Sequence, residues 1–291
     1  MSEPRINADL VRRLIAAQFP HWADLPIRPV ATSGWDNRTF HLGDSMSVRL
    51  PSAARYAAQA AKEQCWLPHL AAYLPLAIPE PLGAGEPSQH YPFHWTIMRW
   101  LPGQTVASAT PKTQQSIAAD LAHFLNALRQ VPSAGGPAAG QHNFYRGGDL
   151  RIYHQEVHHC LGQLDAKVDA SAILRVWDRA CRSAWSGAPV WLHGDVSPDN
   201  LLMQNGKLSG VIDFGNCAIG DPACDLSIAW TLFEAPARMA FFQLVDLDAA
   251  CWERAAGWTL WKTLLQLCRG QAAAERVITN VLREAEQERI F

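Results

Sequence analysis

Two carboxylates and one carboxamide within residues 191–215 have the side-chain types and spacing needed to move a phosphoryl group onto a hydroxyl. Asp195 and Asn200 are separated by four residues, and Asp213 begins the tripeptide Asp-Phe-Gly. A carboxylate can accept a hydroxyl proton, while an amide oxygen and a second carboxylate can hold Mg²⁺ against phosphates. The spacing is that of a kinase catalytic loop followed by its metal-binding Asp-Phe-Gly. The alternative, that these residues only form turns, accounts for any one of them but not for the set.

The residues around these motifs resemble those of a known family. His193-Gly-Asp precedes the loop, and Gly220-Asp-Pro-Ala-Cys-Asp-Leu follows Ile212-Asp-Phe-Gly. In these features the sequence resembles the aminoglycoside phosphotransferase-type small-molecule kinases, which have the protein-kinase-like fold. The resemblance implies an α+β, two-lobed fold: a small lobe with a five-stranded antiparallel sheet and a helix, and a large, mainly helical lobe.

The resemblance also implies a role for each residue of the motifs. Asp195 is expected to be the catalytic base, with Asn200 and Asp213 as Mg²⁺ ligands and ATP or GTP as the phosphoryl donor. His193 is expected to hold the loop by hydrogen bonds. The last two carboxylates, Asp221 and Asp225, are expected to brace the loop backbone, although both could instead cap the helix that follows.

The elements before these motifs divide the chain at Pro102-Gly103, where its composition changes. Residues 1–101 form the expected nucleotide-binding lobe, and the pattern of residues 29–51 within it predicts an antiparallel meander. A helix is predicted to begin at Ser52 and run to about Leu74, with a kink or restart at Pro68. Residues 102–291 are mostly helical in pattern and form the expected catalytic and substrate-binding lobe.

The third predicted strand carries Arg49 where kinases of this fold have a phosphate-binding lysine. Arginine is always charged and can bind phosphate oxygens through two N–H groups. Glu63 shares a helix face with Leu67 and Leu70, and a carboxylate in such a stripe needs a partner. We therefore predict an Arg49–Glu63 ion pair. The alternative is that Glu63 is a solvated charge at the edge of the stripe.

Two backbone segments complete the expected nucleotide site. The turn that contains Ser33, Gly34 and Asn37 occupies the place of a glycine-rich phosphate loop, although it has a single glycine. The segment from Met98 to Trp100 is predicted to be the hinge whose backbone groups contact the base.

The acceptor is less clearly indicated by the sequence. Residues 102–291 contain 16 basic and 19 acidic side chains, too small an acidic excess to argue for a polycation pocket. Trp230, Trp258 and Trp261 could line an apolar acceptor site or, more simply, pack between helices. A hydroxylated macrolide or metabolite is therefore an alternative to an aminoglycoside.

Composition excludes several other classes of protein. The 291 residues are 48% hydrophobic and 18% charged, with a net charge of −2, so neither a disordered chain nor a nucleic-acid or membrane-surface binder is expected. The start of the sequence, Met1-Ser-Glu-Pro-Arg, lacks the apolar core of a signal peptide, and seven scattered cysteines fit a cytoplasmic protein with reduced thiols. A monomer or homodimer is expected. Two alternatives remain: a nucleotide-binding regulatory protein on the same fold without transfer activity, and a kinase of protein side chains.

Overall fold

The computed structural model describes residues 4–31, 34, 36–164 and 167–286. The first part of the chain forms a five-stranded antiparallel sheet with strand order β1-β2-β3-β5-β4 and two helices. These elements are α1 (Ala8–Gln18), β1 (Ile27–Pro29), β2 (Asn37–Leu42), β3 (Met46–Pro51), α2 (Ala57–Ala71), β4 (Pro81–Gly85) and β5 (Trp95–Arg99). The five-stranded sheet predicted for this part is confirmed.

The pairing of β2 with β3 sets the position of Arg49. Gly43 lies in the tight turn between these strands with φ +62°, a conformation that suits glycine. The resulting register places Thr39 opposite Arg49, and β5 pairs on the other side with Thr96 opposite the same arginine. Arg49 is thus held on a strand with a neighbour on each side.

Helix α2 carries Glu63 and continues through Pro68 to Ala71, so the predicted restart at Pro68 is wrong, while the predicted kink there stays a prediction. The proline lies in the last turn of the helix, and it cannot donate a backbone hydrogen bond to the preceding turn. Leu67 and Leu70, on either side of it, are buried and anchor this turn in the core. The helix also begins later than predicted, after a short 3-10 turn over Ala54–Tyr56.

The second part of the chain is mainly helical, as predicted, with two small β-sheets. Strands β7 and β10 form a pair, and β6, β8 and β9 form a three-stranded sheet. The elements are β6 (Gln104–Thr105), α3 (Pro111–Gln130), α4 (His154–Leu164), α5 (Ala170–Arg182), β7 (Val190–Leu192), β8 (Leu201–Gln204), β9 (Lys207–Val211), β10 (Ala218–Gly220), α6 (Ile228–Thr231), α7 (Ala235–Leu244), α8 (Ala249–Cys268) and α9 (Ala273–Glu286).

Two hydrophobic cores support these parts. One lies between α1 and the five-stranded sheet and includes Leu14 and Val48. The other fills the helical part and extends to Leu67 and Met98 of the first part. Within the described ranges, no helix is both long and apolar enough to cross a membrane.

Candidate active site

The loop of residues 193–200, here called the catalytic loop, connects β7 to β8 and is held from within by His193. The His193 side chain is fully buried. Its Nδ1 accepts a hydrogen bond from the Asp195 backbone N–H at 3.2 Å, and its Nε2 lies 3.0 Å from the Ile212 carbonyl oxygen. One imidazole therefore connects the catalytic loop to the segment that precedes Asp213. The predicted scaffold role of His193 is confirmed by these contacts.

Asp225 braces the catalytic loop from outside, as predicted. Its two carboxylate oxygens accept hydrogen bonds from the backbone N–H groups of His193, at 2.7 Å, and Gly194, at 2.8 Å. Gly194 has φ +83°, and a Cβ at this position would lie 2.4 Å from the Asn216 carbonyl oxygen. Only glycine therefore fits this close approach of two backbone segments.

The same bracing role is wrong for Asp221. Its carboxylate caps the following 3-10 helix through the Ala223 N–H and pairs with Arg254 at 2.6 Å, with both side chains buried. The capping alternative therefore describes Asp221, and a buried ion pair to α8 is added to it. Both of its oxygens are thus directed at groups outside the catalytic loop.

Asp225→Asn is expected to lower the free energy of unfolding by about 2–3 kcal/mol, because one buried backbone N–H would lose its acceptor and face an amide donor instead. Urea denaturation would measure the change. Asp199→Asn is the matched control, since Asp199 is an exposed carboxylate on the same loop. Equal unfolding free energies for Asp225→Asn and Asp199→Asn would contradict the bracing role.

Asp195 has an ionic partner that sequence reasoning did not identify. Lys262 of α8 donates to Asp195 Oδ1 at 2.8 Å, and both side chains are partly exposed. Burial opposes ionisation of Asp195, but the charges of Lys262 and Arg146 outweigh it and lower the pKa of this carboxyl to about 2. Asp195 is therefore a carboxylate at neutral pH and can accept a hydrogen bond from a hydroxyl.

Asn200 and Asp213, the expected metal ligands, each carry a side-chain oxygen of the kind that a hard cation prefers. The Asn200 Nδ2 donates to the Asp195 carbonyl oxygen at 2.9 Å, which leaves the side-chain oxygen of the amide for a ligand. Asp213 adopts the left-handed conformation, φ 67° and ψ 61°, which is strained for a non-glycine residue and typical of functional positions. Among the described residues no cluster of three or more His, Cys, Asp or Glu side chains could hold a metal. Two protein oxygens suit Mg²⁺, which keeps waters and binds substrate phosphates.

Arg49 forms the ion pair that was predicted with Glu63 and a second one that was not. Its guanidinium donates to Glu63 Oε1 at 2.7 Å and to Asp213 Oδ1 at 2.5 Å. Glu63 is buried, so the solvated-charge alternative is wrong. Burial opposes the charge of Arg49, but both carboxylates together raise its pKa. The arginine thus links the strand, helix α2 and the Asp-Phe-Gly segment.

The turn between β1 and β2 brings a further carboxylate toward the site. Asp36 accepts a hydrogen bond from Gln59 Nε2 at 2.9 Å, and burial, together with repulsion from Asp213 and Asp195, raises its pKa. Sequence reasoning missed Asp36, although the residue lies in the turn already singled out.

The three residues predicted in that turn have different outcomes. Gly34 has open space around its Cα and accepts a hydrogen bond from Arg38 through its carbonyl oxygen. Asn37 begins β2 and is buried. Ser33 lies outside the described residues. Contact of any of the three with phosphate stays a prediction.

The predicted hinge, Met98 to Trp100, overlaps the end of β5. Met98 is buried opposite Ser47 of β3, while the ring of Trp100 is exposed on one side and packs against His41. The backbone N–H of Trp100 donates a hydrogen bond to the Ser45 carbonyl oxygen at 2.8 Å, so this group is already used within the fold. Contact with a base must use other groups of this segment, and it stays a prediction.

The tryptophans proposed for an acceptor site are packing residues. Trp230, Trp258 and Trp261 are all at most 5% exposed. Trp261 stacks on Tyr153, with 4.0 Å between ring centroids, and donates to Glu156 at 2.6 Å. Three buried rings cannot form the open wall of a pocket, so the packing alternative is correct.

Comparison with known proteins agrees with this geometry. The model of a phosphotransferase enzyme family matches residues 27–258. An aminoglycoside 3'-phosphotransferase of Salmonella typhimurium is 28% identical over 166 residues, which cover 53% of this chain and 59% of that protein, so the match spans little more than half the relative's length.

Two solved structures have a similar fold. The GDP complex of wild-type aminoglycoside 2'-phosphotransferase-IIIa superimposes with a TM-score of 0.71 at 21% identity, over 97% of this chain and 98% of the other. The GDP and kanamycin complex of APH(2")-IIia has a TM-score of 0.69 at 22% identity, over 96% of this chain and 98% of the other. At these identities the two structures show a shared fold.

Proposed function

The chain belongs to the phosphotransferase enzyme family, and we propose that it transfers the γ-phosphoryl group of ATP or GTP to a hydroxyl of a small molecule. The nucleotide is assigned to the cleft between residues 1–101 and 102–291, and the acceptor to the side of residues 102–291. The acceptor belongs to a class that includes aminoglycosides, macrolides and hydroxylated metabolites.

The observation that carries the proposal is the ion pair that joins Asp213 to Arg49. One oxygen of this carboxylate binds Arg49, which also binds Glu63 of α2. Asn200 is hydrogen-bonded to the backbone of Asp195, so the amide and the expected base belong to one rigid loop. A phosphate-binding cation, two metal ligands and a base are thus held by hydrogen bonds and ion pairs in one connected site.

In the proposed reaction, the acceptor hydroxyl oxygen forms a bond to the γ-phosphorus. The bond between that phosphorus and the β–γ bridging oxygen breaks, which releases a nucleoside diphosphate. Asp195 orients the hydroxyl and takes its proton, so the products are a phosphate monoester and the diphosphate. Arg49 binds phosphate oxygens, and Glu63 holds the guanidinium in place.

Asn200 and Asp213 would hold magnesium, which supplies positive charge to the phosphate oxygens when bound. The tethered amide and the strained aspartate fit this role because both present oxygen atoms from short, rigid segments. Catalysis by the protein then consists mostly of positioning and electrostatic stabilisation, which is what this transfer requires.

A nucleotide-turnover screen against pooled antibiotics and hydroxylated metabolites would test the proposal, with phosphorylated products identified by mass spectrometry. Each pool would be measured with magnesium and with EDTA, for the wild-type chain and the Asp195→Asn variant. We expect product in at least one pool, only with magnesium and only from the wild-type chain. Product from Asp195→Asn at the wild-type rate would contradict the assignment of the base.

Asp213→Asn is expected to weaken binding of the magnesium–nucleotide complex by about tenfold or more, because the metal would lose a charged ligand. Calorimetric titration with ATP at several magnesium concentrations would measure this loss, which higher magnesium should partly restore. In EDTA the variant and the wild-type chain should bind nucleotide with similar affinity. If nucleotide affinity fell equally in EDTA, Asp213 would act only as the partner of Arg49, and its role as a metal ligand would be contradicted.

The regulatory alternative rested on the replacement of the usual lysine by Arg49. With Arg49 joined to both Glu63 and Asp213, this replacement no longer argues for a site without transfer activity. No observation favours a kinase of protein side chains. The small-molecule phosphotransferase is therefore the single function proposed.

A further inference from the structure

Two cations from distant parts of the chain come together next to the catalytic loop, and neither belongs to the assigned nucleotide site. Lys262 comes from the middle of α8 and contacts Asp195 Oδ1 at 2.8 Å. Arg146 comes from the segment before α4, and its guanidinium lies over the ring of Trp261, the residue next to Lys262. Both belong to residues 102–291, the side assigned to the acceptor, whereas Arg49 approaches from the five-stranded sheet.

Arg146 is a cation held in place by an aromatic ring. Its guanidinium lies 4.7 Å from the centre of the Trp261 ring, and this ring is itself held by the stack on Tyr153 and the hydrogen bond to Glu156. The Arg146 Nε is buried and has no hydrogen-bond partner, and no carboxylate among the described residues forms an ion pair with this side chain. Stacking keeps the planar group rigid, so that its edge can bind an oxyanion through two N–H groups.

Three carboxylates around Asp195 are engaged elsewhere, and Asp199 on the catalytic loop is exposed. Asp213 binds Arg49 on the nucleotide side, and Asp36 binds Gln59 of α2. Glu156 is bound to the Trp261 indole N–H behind the stack. Among the described residues, Lys262 and Arg146 are therefore the charged groups that these contacts bring to the acceptor side of Asp195, and a polycation would place its ammonium groups against both.

We propose that the acceptor is a hydroxyl compound that carries a carboxylate or phosphate group, and that Arg146 and Lys262 bind this group beside the reacting hydroxyl. This inference rests on the proposed function and narrows its substrate class, because it disfavours aminoglycosides. Arg146 binds the oxyanion through its fork, and Lys262 connects the same group to Asp195. Both are specificity-determining residues of the acceptor site.

The oxyanion could also be the γ-phosphate of the donor, and the experiment must separate the two sources. A residue that binds the acceptor changes KM for the acceptor and the charge preference among acceptors. A residue that binds the γ-phosphate changes KM for the nucleotide with every acceptor. The two readouts are independent, because donor and acceptor are varied separately.

The first test uses acceptor series with a neutral, a cationic and an anionic member, each charged member having one hydroxyl-bearing group replaced: glucose, glucosamine and glucuronate, together with glycerol, serinol and glycerate, beside larger hydroxylated compounds sorted in the same way. With the wild-type chain, kcat/KM should be at least about tenfold higher for the anionic member than for the cationic member of a series that reacts. Preference for the cationic member, with transfer still dependent on Asp195, would overturn the inference and leave the proposed function intact. No Asp195-dependent transfer to any compound would instead contradict the proposed function.

The second test uses Arg146→Met and Lys262→Met, with Arg151→Met as the matched control. Arg151 lies on the same segment but is exposed and paired with Asp149. Each of the first two changes should raise KM for the anionic acceptor by about tenfold and remove the charge preference, without changing KM for the nucleotide. Arg146→Lys should raise KM for the anionic acceptor less than Arg146→Met, since lysine keeps the positive charge but lacks the two parallel N–H groups of the guanidinium. If only the KM for the nucleotide rose, Arg146 and Lys262 would be assigned to binding of the phosphoryl donor, and the inference would be overturned.

A third measurement does not depend on turnover. With magnesium and ADP saturating the nucleotide side, inorganic sulfate is added at constant ionic strength and Tm is followed. Tm of the wild-type chain and of Arg151→Met should rise with sulfate concentration to a plateau. Tm of the double variant, Arg146→Met with Lys262→Met, should not rise. Equal gains in all chains, or none in the wild type, would overturn the oxyanion site.

Discussion

Asp195→Asn is expected to lower kcat for phosphoryl transfer by about 10³-fold while nucleotide affinity stays within about twofold of the wild type. The amide is nearly the same size, and the backbone carbonyl that binds Asn200 is unchanged. What is lost is the carboxylate that orients the acceptor hydroxyl and takes its proton. Steady-state kinetics on an acceptor identified by screening, together with calorimetric titration of magnesium–ATP, would measure both quantities.

The control for this variant is Asp199→Asn on the same loop. Asp199 is exposed, whereas Asp195 lies against Lys262. Asp199→Asn should keep wild-type turnover, which separates loss of the base from disturbance of the loop. If the two variants lost turnover equally, the loss would come from disturbance of the loop and would not support Asp195 as the base; if Asp195→Asn kept wild-type turnover, the base would have to be sought elsewhere.

Arg49→Met is expected to weaken nucleotide binding by about 100-fold and also to destabilise the fold by about 3–5 kcal/mol. The second effect arises because Glu63 is only 2% exposed and would be left as a buried charge without its partner. Burial already raises the pKa of Glu63, and Arg49 opposes that rise. Titration with magnesium–ATP and urea denaturation would measure the two effects separately.

The double variant Arg49→Met with Glu63→Leu distinguishes the phosphate-binding role of Arg49 from its structural role. Removing both members of a buried pair restores much of the lost stability, so the two changes should be far from additive in the free energy of unfolding. Nucleotide binding should stay weak, because no cation remains on β3. Glu63→Leu alone should weaken nucleotide binding less than Arg49→Met, by freeing the arginine.

Arg49→Lys provides a variant that is expected to fold. The ammonium keeps the charge next to Glu63 but cannot bind two carboxylates or two phosphate oxygens through a planar fork, so nucleotide affinity should fall only partly. For Arg49→Met the loss of stability should shrink as the pH is lowered, because Glu63 can then bind a proton in the folded state. Additive effects in the double variant, or wild-type nucleotide affinity in Arg49→Met, would contradict the proposed role.

Several features were predictable from the sequence because the groups involved are close along the chain or demand a partner. The expected base and the two expected metal ligands fall within one stretch of strands and turns, where local spacing is nearly equivalent to spatial arrangement. The Arg49–Glu63 pair could be predicted because a carboxylate in an apolar helical stripe and a cation on an adjacent strand each need a counter-charge. Alternation and turn residues predicted the antiparallel meander, and the resemblance to the kinase family implied the five-stranded sheet.

Other features depended on packing that no local pattern encodes. Asp221 and Asp225 occupy similar places in one short segment, yet only Asp225 reaches the catalytic loop, because α8 brings Arg254 against Asp221. Pro68 predicts a kink or restart of the helix, but the helix continues to Ala71. Leu67 and Leu70, on either side of the proline, are buried and stabilise this turn.

By itself, the sequence determined the chemistry expected of the site, since the expected base Asp195, the amide of Asn200 and the expected metal ligand Asp213 follow one another within a single succession of strand, loop and strand. Only the tertiary structure decided which charges surround the base. Lys262 is 67 residues away from Asp195, and Arg146 reaches the site by stacking on Trp261. A charge on an amphipathic helix or in a loop has no sequence signal for its partner, because the partner is set by how α8 packs against the helices around it.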